Sequence, residues 1–169
     1  GKDVISTINI EFQDAAESSL REKLLETKAL WGTAVLMEVA TGDVKAIANL
    51  HRSKDSTYYT DSKNHAIITP IAPGSTFKLA SLISVLEDGY IDIKDSVKTG
   101  NGHHVFFKET KQRKGYSISD TKKGGYGTIT LGDVFVKSSN IGIAKVVTEC
   151  YKKNPKKFIS RLNILQLTK

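Results

Sequence analysis

The chain has 169 residues, of which 39% are hydrophobic and 25% charged, and its formal net charge is +7. That length suits one ordinary domain or a large piece of a bigger one, and the apolar fraction is that of a globular protein. No apolar run reaches the roughly 20 residues that cross a bilayer, and the start does not resemble a signal peptide. We therefore expect a soluble globular piece, with ends chosen by an experimenter because it begins Gly1-Lys2 without Met.

The positive charge is gathered in clusters. They are Lys108, Lys111, Arg113 and Lys114; Lys122 and Lys123; and Lys152, Lys153, Lys156 and Lys157. Such clusters can bind nucleic acid, an anionic membrane surface or another acidic polymer. No helix-turn-helix, zinc-finger or aromatic-interleaved basic motif accompanies them, so we expect solvated faces and loops and no nucleic-acid partner.

The first part of the chain predicts a helix beside a β-hairpin. Residues 4–10 carry β-branched side chains and indicate a short strand or an extended lead-in. An apolar residue then recurs every four positions over residues 12–27, which predicts an amphipathic helix covering one face of a sheet. The runs 33–39 and 44–49, joined by turn residues at 41–43, predict two adjacent antiparallel strands.

A polar stretch over residues 51–69 predicts a surface loop, and a helix follows it. Pro73 and Gly74 mark the start of this helix and Gly89 its end. Apolar side chains wrap it nearly all round, which is typical of a central buried helix. They are Phe77, Leu79, Ala80, Leu82, Ile83, Val85 and Leu86.

Ser75 and Lys78 lie at the N-terminal end of that helix. Because they are three residues apart, they share one face of it. A serine hydroxyl becomes a nucleophile when a base takes its proton, and lysine is that base only where burial or charge lowers its pKa. The helix start also offers backbone N–H groups to a developing oxyanion. Ser119 and Lys122 have the same spacing but run into a glycine-rich stretch, and we interpret them as loop.

Residues 91–127 predict irregular structure with one short strand near 104–108. The adjacent pair His103 and His104 lacks the spacing and carboxylate companions of a zinc site, so we interpret it as surface loop. Cys150 is the only cysteine, which rules out an internal disulfide, and we expect it to pack on a helix. No cofactor or metal is predicted.

The last third predicts three helices, over residues 130–136 with Thr130 as a cap, 140–152 and 155–165. A polar triplet, residues 138–140, separates the first two helices. Ser or Asn before a helix is a common N-cap, which is the structural interpretation of the triplet. The presence of Ser75 and Lys78 earlier in the chain favours a functional interpretation of the triplet instead.

Ser75-x-x-Lys78 followed about sixty residues later by Ser138-x-Asn140 resembles the penicillin-binding proteins, the serine D,D-transpeptidases of the β-lactamase-like superfamily. Further segments look like the class B, monofunctional enzymes: Thr41-Gly42-Asp43-Val44 with Ala46 and Ala48, Pro73-Gly74, Glu87-Asp88-Gly89-Tyr90-Ile91, Thr99-Gly100-Asn101-Gly102, Ile118-x-Asp120 and Ser138-Ser139-Asn140-Ile141-Gly142. The resemblance implies an α+β, incomplete serine β-lactamase/transpeptidase-like fold, an antiparallel sheet flanked by helices, in one partial domain over residues 1–169.

The resemblance also implies roles. Ser75 would be the acylated nucleophile, with its backbone N–H as half of the oxyanion hole, and Lys78 the general base. Ser138 would relay a proton to the departing amine. Asn140 would hold a substrate amide and help to orient Lys78. The implied substrate is the D-alanyl-D-alanine end of a peptidoglycan stem peptide, and β-lactams would acylate the same serine.

Two near-matches to the family motifs stand in the wrong order. Lys98-Thr99-Gly100 spells the third motif but lies between the first two, where we expect a loop, and Ser62-Lys63-Asn64 precedes the nucleophile. We expect the true third motif and the later strands beyond residue 169. That strand supplies an oxyanion donor, and losing one donor costs a factor of about 10² to 10³ in rate. The 169 residues alone should therefore bind penicillin poorly.

The resemblance further places the parent at the extracytoplasmic face of the cytoplasmic membrane, tethered by an N-terminal helix, with division or elongation proteins as partners. Two alternatives remain open at this point. A serine β-lactamase or a β-lactam sensor domain shares Ser-x-x-Lys. A non-catalytic basic interaction module would use Ser75 and Lys78 only to cap and pack a helix.

Overall fold

The computed structural model describes residues 2–53, 58–61, 63–111 and 114–168. Gly1, Ser62 and Arg113, which the sequence arguments named, lie outside these ranges. The chain divides into two compact units, Gly1–Ile71 and Ala72–Lys169, each with its own sheet and helices.

The first unit contains the predicted helix and β-hairpin, and a third strand extends the sheet. Its elements are α1 (Ile10–Thr27), β1 (Trp31–Met37), β2 (Val44–Arg52), β3 (Tyr59–Asp61) and α2 (His65–Ile68), and the strand order is β1-β2-β3. The helix begins at its N-cap Asn9, and the residues before it are extended without forming a strand. Leu20 and Leu24 of α1 lie directly over Gly32, 3.0 Å from where a Cβ would stand, so the helix sits close against β1.

The predicted surface loop over residues 51–69 is wrong in part, because it contains β3 and α2. One buried aromatic side chain explains the third strand. Tyr59 is 4% exposed, and its hydroxyl lies 2.9 Å from the carbonyl oxygen of Leu24 and 2.6 Å from that of Ala29. Tyr59 is the one fully buried residue among those described in this polar stretch, so no alternation of apolar and polar residues marks the strand.

The second unit places four helices around two short β-ribbons. A single 3₁₀ turn, Gly74–Thr76, leads into α3 (Phe77–Glu87), β4 (Ser96–Gly100), β5 (His103–Phe107), β6 (Tyr116–Ser119), β7 (Gly127–Thr130), α4 (Leu131–Val136), α5 (Asn140–Tyr151) and α6 (Pro155–Ile164). β4 pairs with β7 and β5 with β6, both antiparallel. The predicted helices are confirmed, and Thr130 caps α4 by accepting a hydrogen bond from the N–H of Asp133.

The core of this unit lies on one side of α3. Its members are Leu82, Val85, Val97, Leu131, Val134, Ile143, Val146 and Tyr151. Cys150 packs against this cluster from α5, as expected. The prediction that α3 is buried nearly all round is wrong, because Leu79 is 50% exposed on the side away from the cluster.

Residues 91–127 hold three complete strands and the start of a fourth, where the sequence predicted one short strand. His103 and His104 therefore lie on β5 instead of a loop, and Ser119 ends β6. The stretch Lys98-Thr99-Gly100, also predicted as loop, lies on β4, where Thr99 is 1% exposed and donates a hydrogen bond to the carbonyl of Gly127. Within the described ranges, no helix has the length and apolarity needed to span a bilayer.

Candidate active site

Ser75 and Lys78 lie at the start of α3, as predicted. Ser75 is exposed on the 3₁₀ turn and Lys78 is half-buried in the first turn of the helix. Gly74 adopts a positive φ of 60°, which its missing Cβ permits, and so lets the chain turn sharply before the nucleophile. The turn presents the serine hydroxyl to solvent while the lysine stem lies against the protein.

Ser138 lies between α4 and α5 in a strained conformation. The N–H of Ser138 bonds the carbonyl of Phe135 and that of Ser139 bonds Val134, which is the pattern of a Schellman motif ending α4. Ser138 occupies the left-handed position of that motif, with φ at 51°, where glycine is usual. A non-glycine residue in this conformation costs about 1–2 kcal/mol.

These three side chains form a continuous hydrogen-bonded path. The Nζ of Lys78 lies 2.6 Å from the carbonyl oxygen of Ser138 and 2.9 Å from its Oγ, donating to both. The Oγ of Ser138 in turn donates to the Oγ of Ser75 at 3.3 Å. The first and second motifs are therefore brought together, and the hydroxyl of Ser138 stands between the lysine and the first serine.

Burial lowers the pKa of Lys78 below its ordinary value of 10.5, and the negative charge of Asp120 opposes part of that effect. A lysine whose ammonium is destabilised by lost hydration gives up its proton more readily at neutral pH. Burial thus shifts Lys78 toward its neutral form relative to an exposed lysine.

Asn140 begins α5, beside the same path. Its side-chain amide donates to the carbonyl of Ser119 at the end of β6, at 2.9 Å. Together with Lys78 it lines an apolar cavity of about 490 Å³. Aromatic and aliphatic side chains form most of its wall: Phe77, Phe106, Phe107, Tyr116, Ile118, Ile143, Ala144, Val147 and Phe158. The cavity opens next to both motifs and could receive an apolar group of a bound ligand.

Ser139 carries the capping role that the structural interpretation assigned to the triplet. Its Oγ accepts a hydrogen bond from the N–H of Gly142 at 2.9 Å and donates to the carboxylate of Asp120. The triplet therefore has both a capping and a site-forming part. Ser139 caps α5, and its neighbours Ser138 and Asn140 lie at the site. Asp120 appeared in the sequence only as part of a resembling segment, since a single aspartate after a short strand forms no pattern.

Gly142 sets how closely α4 and α5 approach. A Cβ at this position would lie 2.5 and 2.7 Å from the two γ-carbons of Val134, distances that real contacts do not reach. The glycine therefore lets the two helices touch, and the turn that carries Ser138 is held between them.

Residues 32–168 match the family model described as the penicillin binding protein transpeptidase domain. The chain is 26% identical over 165 residues to the probable peptidoglycan D,D-transpeptidase PbpC of Pseudomonas aeruginosa, covering 95% of this chain and 27% of that protein. It is 28% identical over 144 residues to the peptidoglycan D,D-transpeptidase FtsI of Escherichia coli K12, and the match covers 83% of this chain and 23% of that protein. The chain thus spans about a quarter of the length of these relatives.

Among solved structures, the crystal structure of a peptidoglycan glycosyltransferase from Burkholderia ambifaria resembles this fold with a TM-score of 0.74. The two chains are 29% identical, and the likeness covers 94% of this chain and 44% of that one. The helix-and-sheet arrangement is therefore one already known from peptidoglycan-synthesising proteins.

Proposed function

Because the chain belongs to the penicillin-binding protein transpeptidase family, we propose that the whole protein is a peptidoglycan D,D-transpeptidase that forms an acyl-enzyme at Ser75. The family and the α+β, transpeptidase-like fold are both those that the sequence predicted. The observation that carries the proposal is the path from Lys78 through Ser138 to Ser75, with contacts of 2.9 and 3.3 Å.

In the first half-reaction the Oγ of Ser75 attacks the carbonyl carbon of the penultimate D-alanine. The proton of Ser75 passes to Ser138 as the proton of Ser138 passes to neutral Lys78, a transfer that the lowered pKa of Lys78 favours. The C–N bond then breaks, and the leaving D-alanine amine takes the proton back through Ser138. An ester between Ser75 and the stem peptide remains.

In the second half-reaction an amine of a neighbouring stem peptide attacks that ester. Lys78 accepts the proton of the amine through the same hydroxyl, the ester C–O bond breaks, and Ser75 regains its proton. The backbone N–H of Ser75, at the helix start, supports one side of the oxyanion in both steps. Asn140 holds a substrate amide at the mouth of the apolar cavity.

The proposal extends to ligands and location. A β-lactam presents a strained amide to the same serine and would leave a stable ester on Ser75. Since peptidoglycan lies outside the cytoplasmic membrane, the whole protein would act at the extracytoplasmic face, and division or elongation proteins are its candidate partners. The related names support a transpeptidase over the β-lactamase and sensor alternatives.

Release of D-alanine from a pentapeptide substrate tests the function in the whole protein. We expect activity in the wild type and in Ser119→Ala, which keeps the first motif, and none in Ser75→Ala. Rapid hydrolysis of nitrocefin with no D-alanine release would instead establish a β-lactamase. Salt-dependent nucleic-acid binding with neither reaction would establish the basic interaction module.

A further inference from the structure

Asp120 accepts hydrogen bonds from two groups at the start of α5, the hydroxyl of its N-cap Ser139 and the backbone N–H of Ile141. The hydroxyl of Ser139 donates to both of its carboxylate oxygens, at 3.1 and 3.0 Å, and the N–H of Ile141 donates to Oδ1 at 3.0 Å. The backbone carbonyl of the preceding residue, Ser119, accepts a hydrogen bond from the side-chain amide of Asn140. The last residue of β6 and the residue after it therefore hold the three residues that follow Ser138.

The carboxylate itself stands on a rigid support. The N–H of Asp120 donates to the carbonyl of Gly102 at 3.1 Å. Gly102 packs so tightly on Gly125 that a Cβ on Gly125 would lie 2.3 Å from the N of Gly102. The backbone of Asp120 is thus anchored to a pair of backbone segments in direct contact.

Asp120 also acts on Lys78 through its charge. It raises the pKa of Lys78 against the effect of burial. The Nζ of Lys78 donates to the carbonyl oxygen and the hydroxyl of Ser138, which are both uncharged. Among the described residues that line the cavity with Lys78, Tyr116 of β6 is the one further titratable side chain.

We propose that Asp120 is a positioning residue for acylation of Ser75, holding Ser138 in its left-handed conformation through Ser139 and Ile141 and serving as the counter-charge of Lys78. The inference rests on the proposed function. It assigns two separable duties, one carried by hydrogen-bond acceptors and one by negative charge. Four variants of the whole protein separate them.

Asp120→Asn keeps an acceptor for Ser139 and Ile141 but removes the charge. Ser139→Ala keeps the charge but removes one donor of the clamp, and Asp120→Ala removes both duties. Glu149→Gln is the matched control, because it removes an exposed carboxylate near the other end of α5, where Glu149 pairs with Lys152. The measurement is the second-order rate of penicillin acylation as a function of pH, with thermal unfolding of each variant alongside.

Removing the charge lowers the pKa of Lys78, so its neutral form appears at lower pH. The acid limb of the rate profile should therefore move to lower pH in Asp120→Asn and stay in place in Ser139→Ala and Glu149→Gln. In Asp120→Ala the turn is loosened, and the plateau of the acylation rate should fall by about 10- to 100-fold, because displacing a catalytic group by about 1 Å lowers a rate by that order. Ser139→Ala should also lose plateau rate.

An unmoved acid limb in Asp120→Asn overturns the counter-charge duty, and unchanged plateaus in Ser139→Ala and Asp120→Ala overturn the clamp. If Asp120→Ala does not fold, the other two substitutions still decide both duties. Should the wild type itself show no acylation at Ser75, the proposed function fails. Wild-type acylation with four identical profiles defeats this inference alone.

Discussion

A serine in the left-handed position of a helix end is the most telling single residue of the site. Ser138 has φ at 51°, and its hydroxyl lies between Lys78 and Ser75. Glycine would occupy this position without strain, but it could not pass a proton. The strain at Ser138 therefore points to selection for the side chain over stability.

Substituting Ser138 by glycine or alanine should separate conformation from chemistry. Both variants lack the hydroxyl, and only glycine adopts the left-handed region freely. We expect Ser138→Gly to be more stable than Ser138→Ala by about 1–2 kcal/mol in urea unfolding of the 169-residue chain. Equal stability of the two variants would show that the turn is unstrained.

Ser75, Lys78, Ser138 and Asn140 could be named from the sequence because helix geometry and motif order are legible there, whereas Asp120 could not be singled out. Ser75 and Lys78 share one helix start, and Ser138 was found through its spacing from them. Asp120 had no such signal. Its contact with Ser139 joins residues 19 apart across a strand end and a helix start, which no periodicity records.

At the scale of elements, the close approach of α4 and α5 depends on Gly142. Gly142→Ala should lower the free energy of unfolding by about 1–3 kcal/mol, because its Cβ would overlap Val134. It should also slow penicillin acylation in the whole protein, since the turn carrying Ser138 would shift.

Gly132→Ala is the control for this substitution. Gly132 lies on α4, the partner helix, and its nearest neighbour is Ile93 at 3.5 Å from the added Cβ, an ordinary contact. We expect this variant to be unchanged or more stable by about 0.4–1 kcal/mol. A Gly142→Ala variant as stable as Gly132→Ala would mean that the helices are not in tight contact.

The end of α3 is joined to α6 by a buried carboxylate. Asp88 is 1% exposed at its side chain and accepts hydrogen bonds from Arg161 at 2.6 Å and Tyr151 at 2.8 Å. Burial alone would raise the pKa of Asp88, but these bonds and one from Lys157 outweigh it and hold the pKa below 3.8. The charged form is therefore the one that the fold stabilises.

This depressed pKa predicts the acid stability of the chain. Above pH 3.8, the ordinary value, Asp88 contributes its full stabilisation, which is lost as the pH falls through the lower folded-state pKa. The free energy of unfolding, measured in urea at several pH values between about pH 6 and pH 2, should fall toward acid in the wild type and in Glu149→Gln. It should fall less in Asp88→Asn. An equally steep fall in Asp88→Asn would assign the acid loss to other carboxylates.

The helices were predictable and the short strands were not, for a physical reason. A helix of ten or more residues repeats its apolar face several times, whereas β4 to β7 have four or five residues each. On β5 the usual alternation is also hidden, since Val105 and Phe107 are 47% and 44% exposed while His104 faces inward. Polarity and burial disagree there, so the pattern could not indicate a strand.

At the scale of the whole molecule, several clustered lysines are engaged within the chain. Lys157 lies 3.4 Å from Asp88 and over the ring of Tyr90, Lys152 pairs with Glu149, and Lys122 lies over the ring of Tyr126. These lysines therefore have partners within the chain.

The 169 residues alone should react with fluorescent penicillin far more slowly than the whole protein. The one Lys-Thr-Gly sequence present, residues 98–100, lies on β4, whose described partner strand is β7. The backbone N–H of Ser75 is the one oxyanion donor that we assign among the described residues, and lacking a second donor typically lowers a rate by a factor of about 10² to 10³. Stoichiometric labelling of the 169-residue chain at the rate of the whole protein would contradict this prediction.

The most direct test of the account is the site of the covalent adduct. The whole protein is incubated with penicillin, digested, and mapped by mass spectrometry, with Ser119 as an internal comparison because it has the same spacing to a lysine. We predict one penicilloyl ester, on the peptide bearing Ser75, and its loss in both Ser75→Ala and Lys78→Ala. An adduct on Ser119 or Ser138, or undiminished labelling of Ser75→Ala, would show that the nucleophile lies elsewhere.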